Sequence, residues 1–221
     1  MAVNNPSEKP FPTDEMLGIA IGTPNSPNQR HIGFIYRLNE ESDPRFCHLA
    51  WHHILCDELY EPPYLWGASA LDQVNNTVMA AYVATLQQNS NVVNYGFSVD
   101  GLFFRDDGQY VVQPIGRGLT CATFILVVLR RNGFELLKTD DWGDRPGDAE
   151  WQNQIIEVLD RCAPEHAEAM KQDIGASRFR PEEVAGGMIS EGIPLSLSDA
   201  EKLAGEILQD IQRASSTGLN N

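Results

Sequence analysis

The run TCATFILVVL at residues 120–129 predicts the centre of the molecule. Its last six residues are all apolar, so a helix here has no polar face, and a helix that is apolar all round is buried on every side. Thr120 is a suitable N-cap, and Gly133 is placed to end the helix. The sequence therefore predicts a buried central helix over about residues 121–132.

Cys121 lies in the first turn of this helix. The helix macrodipole and the free N–H groups of that turn favour a thiolate, and the pKa of cysteines so placed falls from about 8.5 to roughly 3.5–7.5. The same N–H groups could hold an oxyanion during acyl transfer. Cys121 is therefore a candidate nucleophile, and an inert buried cysteine is the alternative.

A thiol nucleophile needs an imidazole partner. Four of the five histidines precede residue 54, and two of them fall in predicted strands: His31 begins the strand 31–36, and His48 lies in the strand 45–51. Side chains alternate between the two faces of a strand. If the two strands are antiparallel neighbours, both imidazoles can point at one spot.

The rest of the chain divides by composition. The first part carries a predicted strand at 17–22, a helix at 69–89 and a strand and hairpin region at 92–112. Residues 140–221 hold 17 of the 31 acidic residues and predict helices near 148–162, 164–173 and 198–213, with a Gly/Pro-rich connection at 181–194. The predicted segments are a flexible leader at 1–15, a core at 16–138, an acidic helical extension at 139–213 and a frayed tail at 214–221.

Charge and hydropathy argue against several classes of function. The 221 residues include 31 acidic and 16 basic ones, a formal charge of −15, which disfavours nucleic acid and anionic membranes as partners. The longest apolar run is about half of the roughly 18 residues that a membrane span needs. The first 16 residues have no basic start and no apolar stretch, and the four cysteines are scattered. These features predict a cytoplasmic protein with reduced thiols, no cofactor and no membrane span.

The order of three short motifs resembles a known superfamily. HIGFIY at 31–36 followed by CHLA at 47–50 resembles the two-histidine strands of the lecithin retinol acyltransferase-like proteins, in the circularly permuted branch of the papain-like NlpC-type thiol hydrolases. TCATF at 120–124 fits their nucleophile helix, and NYGF at 94–97 resembles an aromatic pair of permuted bacterial members. The resemblance covers about residues 16–137 and implies an α+β fold, with a small antiparallel sheet packed on the buried central helix.

The resemblance also implies a role for each residue. Cys121 would attack a carbonyl carbon, His31 would take the thiol proton and later protonate the leaving group, and His48 would orient His31. The arrangement with His48 as the base is ranked second. Gln113 or Tyr95 would supply an oxyanion donor beside the Cys121 backbone N–H. His52 could line the cleft.

The implied activity is cysteine-dependent hydrolysis or transfer of an amide, ester or thioester. The Asn-Cys-Glu-His signature and the C-terminal membrane anchor of the lipid acyltransferases are missing, so peptide or isopeptide amides are favoured as substrates. The alternative is a papain-like binding or interaction module without turnover. A protein partner of the acidic extension stays open, as does the oligomeric state.

Two metal hypotheses are less favoured. Cys47, His48, His52 and Cys56 are all potential zinc ligands, but adjacent strand residues point to opposite sides of a sheet. The acidic run DDWGD at 140–144 lacks the spacing and the terminal Glu of a calcium loop. The sequence therefore predicts no metal site.

Overall fold

The computed structural model describes residues 2–26, 29–89 and 92–218. Over these residues the protein is α+β, with one small antiparallel sheet of five strands and six α-helices. The strands are β1 (Leu17–Ser26), β2 (Gln29–Tyr36), β3 (Arg45–Trp51), β4 (Ile54–Leu59) and β5 (Leu65–Ala68). They lie in the order β4-β3-β2-β1-β5, so that β2 is the central strand and β3 is one of its two neighbours.

The helices are α1 (Gln73–Asn89), α2 (Cys121–Arg131), α3 (Asp148–Asp160), α4 (Pro164–Met170), α5 (Pro181–Met188) and α6 (Leu197–Gly218). The predicted central helix is confirmed as α2, whose residues 121–129 are all buried. A reciprocal cap starts it: the Thr120 hydroxyl accepts from the Thr123 N–H at 3.1 Å, and the Thr120 N–H donates to the Thr123 hydroxyl at 2.8 Å.

The two faces of the sheet pack against different groups of residues. On the inner face, Phe34 of β2 packs edge-on against Phe124 of α2, with ring centroids 5.9 Å apart, and Cys47 is fully buried. On the outer face, Phe46 belongs to a separate apolar cluster with Trp66. The predicted alternation along β3 is therefore confirmed, and His48 shares the outer face with Phe46.

Residues 2–15, expected from their composition to form a flexible leader, pack against β5. Val3 and Phe11 are 1% and 5% exposed, and the Trp66 indole N–H donates to the Lys9 carbonyl at 2.7 Å. Asn4 pairs with Trp66 through two backbone hydrogen bonds. Val3 joins the main apolar core and Phe11 joins the cluster on the outer face, and their burial offsets the entropy cost of ordering this segment.

The predicted strands and hairpin between residues 92 and 112 are reduced to isolated bridges, among them one that joins Phe104 to Tyr110 around a turn at 105–108. The burial of Phe103 and Phe104 holds this segment together with local backbone hydrogen bonds, such as that from the Val111 N–H to the Phe103 carbonyl at 2.8 Å. β4 and β5 were not predicted.

α5 lies where the Gly/Pro-rich connection was expected. Its two glycines are needed for close packing: a Cβ at Gly186 would lie 3.0 Å from Leu203 Cβ, and a Cβ at Gly187 would lie 2.9 Å from Leu136 Cβ. Low helix propensity therefore hides a helix that tertiary contacts stabilise.

The acidic C-terminal segment shares the core of the sheet and α2. Leu159, Met170, Val184 and Ile207 belong to the same buried apolar cluster as Phe34. The predicted frayed tail is helical through Gly218, and residues 219–221 lie outside the described residues. Among the described residues, no helix has the length and apolarity to cross a bilayer.

Candidate active site

Three side chains from neighbouring strands form a row on the outer face of the sheet. His31 Nε2 of β2 lies 2.7 Å from His48 Nδ1 of β3, and His48 Nε2 lies 3.3 Å from Glu58 Oε1 of β4. The His48 ring stacks on Phe46 with centroids 4.2 Å apart and 17° between planes. Packing and hydrogen bonds therefore fix the orientation of His48.

The row determines which ring nitrogen carries each proton. A carboxylate only accepts hydrogen bonds, so His48 Nε2 bears the proton that faces Glu58. His48 Nδ1 then accepts, and His31 Nε2 is the donor to it. With both rings neutral, the lone pair of His31 is left on Nδ1, which makes no hydrogen bond to a described residue. A free imidazole lone pair is what a general base requires.

Both rings are held in the neutral form. Burial, with a contribution from His48, lowers the pKa of His31 to about 3. Burial also lowers the pKa of His48, against the opposing effect of Glu58. At neutral pH His31 is therefore an unprotonated base.

Cys121 lines a cavity of about 340 Å³ that His31 also lines. The residue is 8% exposed. The backbone N–H groups of Ile32 and Ala122 favour the thiolate form and so act to lower the pKa of Cys121, and Ile32 directly follows His31 in β2. The central helix and the central strand thus bring the predicted nucleophile and the predicted base to one cavity.

The thiol is protonated at rest, contrary to the expectation from the helix N-terminus. Burial raises the pKa of Cys121 to about 11, although the neighbouring N–H groups lower it. The nearby carboxylate of Glu182 adds to the increase. Removing a thiolate from water therefore outweighs the favourable field of the helix end. The resting pair is a neutral thiol beside a neutral imidazole.

The other predicted cleft residues divide between two cavities. Tyr95 lines the Cys121 cavity, and its ring packs on Trp51 with centroids 4.7 Å apart. Gln113 and His52 line a different cavity of about 580 Å³. The structure therefore does not bring these two side chains to Cys121.

Gln113 and His52 both have structural hydrogen bonds. The Gln113 amide donates to the carbonyls of Leu102 and Val111 at 2.9 and 2.7 Å, and His52 Nδ1 accepts from the Tyr95 N–H at 3.2 Å. The side-chain amide of Gln113 is committed to the backbone of its own loop, so Gln113 is not an oxyanion donor here.

The alternative zinc ligands do not converge. Cys47 is in the inner core, whereas His48 is on the outer face of the sheet. Within residues 2–26, 29–89 and 92–218, no group of three or more His, Cys, Asp or Glu side chains is arranged to hold a metal ion.

Gly33 makes the packing of His48 feasible, because a Cβ at this position would lie 2.5 Å from His48 Cβ and 2.7 Å from the Cys47 carbonyl oxygen. We expect Gly33→Ala to lower the free energy of unfolding by about 1–3 kcal/mol, the usual cost of overpacking. The measurement is urea denaturation. Gly205→Ala is the matched control, since nothing lies within 4 Å of a Cβ there, and this helical change is expected to stabilise. Equal effects of the two changes would refute the packing argument.

The depressed histidine pKa values predict an acid-sensitive fold. Burial lowers the pKa of His31 to about 3 and that of His52 to about 4, and it also lowers the pKa values of His48 and His166. As the pH falls below about 6.5, the unfolded chain therefore binds protons before the folded chain does, and stability is lost. We expect the melting temperature to fall by at least about 5 °C between pH 7 and pH 5. A constant or rising melting temperature over this range would contradict the burial of neutral rings.

Comparison of the chain with protein-family models, with curated proteins and with solved structures found no match in any of the three.

Glu58, Arg30, Arg178 and the two tryptophans of the cavity, Trp51 and Trp151, are the site residues that sequence reasoning missed. A prediction of β4 would have provided a signal for Glu58, because β4 pairs with β3 and places Glu58 opposite Phe46. Arg178 and Trp151 lie far along the chain from Cys121, and no local pattern connects them to it.

Proposed function

We propose that this protein is a cysteine-dependent acyl hydrolase or acyltransferase with a papain-like core of circularly permuted topology. Cys121 is the nucleophile, His31 the general base and acid, and His48 the residue that orients His31. Glu58 completes the row behind His48. One observation carries the proposal: His31, whose Nδ1 has a free lone pair, lines the same cavity as the Cys121 thiol.

The papain-like assignment is supported by the arrangement of elements. The two histidine strands β2 and β3 precede the cysteine helix in the chain, and α2 packs on the inner face of an antiparallel sheet. His31 uses Nε2 for the orienting residue, so Nδ1 is the nitrogen available for the thiol. A nucleophilic thiol activated by an imidazole requires one ring nitrogen to face the thiol and the other to bond a third, orienting group.

In the first step the sulfur of Cys121 attacks the carbonyl carbon of the substrate while its proton passes to His31 Nδ1. The transfer accompanies the attack, because a thiol pKa of about 11 and an imidazole pKa of about 3 disfavour a preformed ion pair. The N–H groups at the start of α2 can stabilise the oxyanion of the tetrahedral intermediate.

In the second step the His31 imidazolium protonates the leaving nitrogen, oxygen or sulfur, and the carbon–leaving-group bond breaks. His48 accepts the hydrogen bond from His31 Nε2 throughout, and Glu58 stabilises the positive charge through His48. The product of this step is a thioester on Cys121. Water, or an acceptor nucleophile that loses its proton to His31, then releases the acyl group and restores the thiol.

The substrate class is an amide, ester or thioester, with peptide or isopeptide amides favoured by the sequence. A papain-like binding module without turnover is the second candidate, and the raised pKa of the Cys121 thiol is the observation that favours it.

Burst kinetics with p-nitrophenyl acetate, an activated ester, separate the two functions. An acyl-enzyme mechanism predicts a rapid release of about one p-nitrophenolate per protein, followed by slower turnover. Cys162→Ala is the matched control, because Cys162 is exposed and lies outside the Cys121 cavity. The control should keep the burst, and Cys121→Ala should lose it. A wild-type protein without a burst, or a burst that survives Cys121→Ala, overturns the proposal.

A further inference from the structure

The wall of the Cys121 cavity has the opposite charge to the protein as a whole. The chain has a formal charge of −15. The described residues that line the cavity include Arg30 and Arg178 but no Asp or Glu. A strongly acidic chain that keeps carboxylates out of one cavity and places two guanidinium groups there has a local preference for anions.

Each of the two arginines forms an ion pair with a buried carboxylate. Arg30 pairs with Glu182, whereas Arg178 belongs to a cluster with Asp148, Glu183, Arg145 and Arg180. The exposed Glu201 also approaches Arg145, at 3.4 Å, but half of its side chain is in water. Within this cluster, the two buried carboxylates of Asp148 and Glu183 face three arginines, and Glu201 adds a third carboxylate at the surface.

Within its cluster, Arg178 shares its carboxylate with another arginine. Glu182 pairs with Arg30 at 3.0 Å, and Glu183 is occupied by Arg145. Asp148 is the carboxylate that Arg178 and Arg180 share, and Glu182 also lies close enough to act on Arg178. Asp148 lies 3.4 Å from Arg178 Nη1 and 3.2 Å from Arg180 Nη2, on the same oxygen.

Arg178 is presented to the cavity in a fixed orientation. Its guanidinium lies 4.0 Å over the ring of Trp151, which also lines the cavity. Nη1 bonds Asp148, while Nε and Nη2 make no hydrogen bond to a described residue. Burial lowers the pKa of Arg178, although Asp148 opposes this shift, and the neighbouring Arg180 adds to it. A planar donor group held flat with unused N–H groups is suited to a carboxylate.

We propose that the Cys121 cavity recognises an acyl group that carries a carboxylate, which binds the free N–H groups of Arg178 with Arg30 as a second cation. The apolar part of the ligand packs against the aromatic wall formed by Trp51, Tyr95, Trp151 and Phe179. The inference deepens the proposed function and rests on it for the acyl chemistry. It assigns the substrate class as amides, esters or thioesters of an acid with a second, free carboxylate.

The test compares 4-phenylbutyrate with 4-phenylbutyramide, which share the aromatic ring and differ in the charged group. Binding is measured by calorimetry on the full chain with Cys121→Ala, which retains the cavity but lacks the nucleophile. We expect the carboxylate to bind at least about 10-fold more tightly than the amide, the range for a charge-assisted pair. Equal affinities for the two ligands would overturn the proposal.

Three variants test which arginine is responsible for the preference for the carboxylate ligand over the amide. Arg178→Met should remove most of the preference for 4-phenylbutyrate over 4-phenylbutyramide, and Arg30→Met should remove part of it. Arg178→Lys should give an intermediate ratio of the two affinities, because an ammonium group keeps the positive charge but lacks the planar arrangement of donors. Arg105→Met is the control, since Arg105 is exposed and lies outside this cavity. The ratio of the affinities for the carboxylate and the amide ligand is interpreted only for variants that melt cooperatively. If Arg178→Met does not fold, Arg30→Met and Arg178→Lys test the proposal. A ratio unchanged in all three variants also overturns the proposal.

The two proposals can fail separately. A carboxylate preference that depends on Arg178, in a protein without a p-nitrophenolate burst, refutes the catalytic function and leaves the anion site. A Cys121-dependent burst in a protein with no carboxylate preference refutes the anion site and leaves the catalytic function.

Discussion

Replacing His31 with alanine is expected to lower the rate constant of the p-nitrophenolate burst by about 10³-fold or more, as loss of the base does in nucleophile–histidine sites. The thiol of Cys121 has a pKa of about 11, so almost no thiolate exists at neutral pH without a base. His48 cannot substitute, because its two ring nitrogens are occupied by His31 and Glu58. Added imidazole should restore part of the rate by occupying the space that the ring vacates.

His53→Asn is the matched control for this prediction. His53 is an exposed histidine with φ of 61°, a conformation that asparagine tolerates, and it does not line the Cys121 cavity. The control should retain the wild-type burst. His48→Ala should give an intermediate loss, since His31 keeps its lone pair but loses its fixed orientation. A His31→Ala protein with an unchanged burst would exclude His31 as the base.

Asp148→Asn is expected to lower the free energy of unfolding by about 3–5 kcal/mol, the usual cost of breaking a buried ion pair from one side. The Asp148 side chain is 1% exposed and contacts Arg145, Arg178 and Arg180 within 3.5 Å. Removing its charge leaves Arg145 paired with Glu183, and it removes the carboxylate with which Arg178 and Arg180 form their ion pairs. Urea denaturation followed by circular dichroism measures the loss.

Asp106→Asn is the control at the surface. Asp106 also pairs with an arginine, Arg131, but its side chain is 89% exposed. Exposed pairs contribute at most about 1 kcal/mol, so the control should differ little from the wild type. Similar small losses for both variants would show that the Asp148 cluster is better hydrated than its burial indicates.

The centre of the fold was accessible from local patterns. The apolar run of α2 has no polar face, and the alternation in β3 separates Cys47 from His48. Both patterns involve residues that are close together in one helix or strand, so they can be recognised without knowledge of tertiary contacts. The meeting of His31 with His48 followed from placing their strands side by side.

The features that the sequence patterns did not predict correctly depend on contacts between segments that are distant in the chain. Glu58 was missed because β4 has no strong strand pattern, and α5 because Gly186 and Gly187 lower helix propensity while they enable close packing. Arg178 stacks on Trp151 at the cavity, and both residues are distant from Cys121 in the chain. The thiolate prediction for Cys121 failed because desolvation, which depends on the whole fold, raises the thiol pKa more than the helix end lowers it.

Trapping the acyl-enzyme tests the proposed role of Cys121 most directly. The protein is mixed with p-nitrophenyl acetate, quenched in acid during the burst and examined by peptide mass spectrometry. We expect one acetyl group on the peptide that contains Cys121, attached as a thioester that hydroxylamine removes. Acetylation confined to the exposed Cys162 or to lysine side chains, with an unmodified Cys121, would contradict the assignment of Cys121 as the nucleophile.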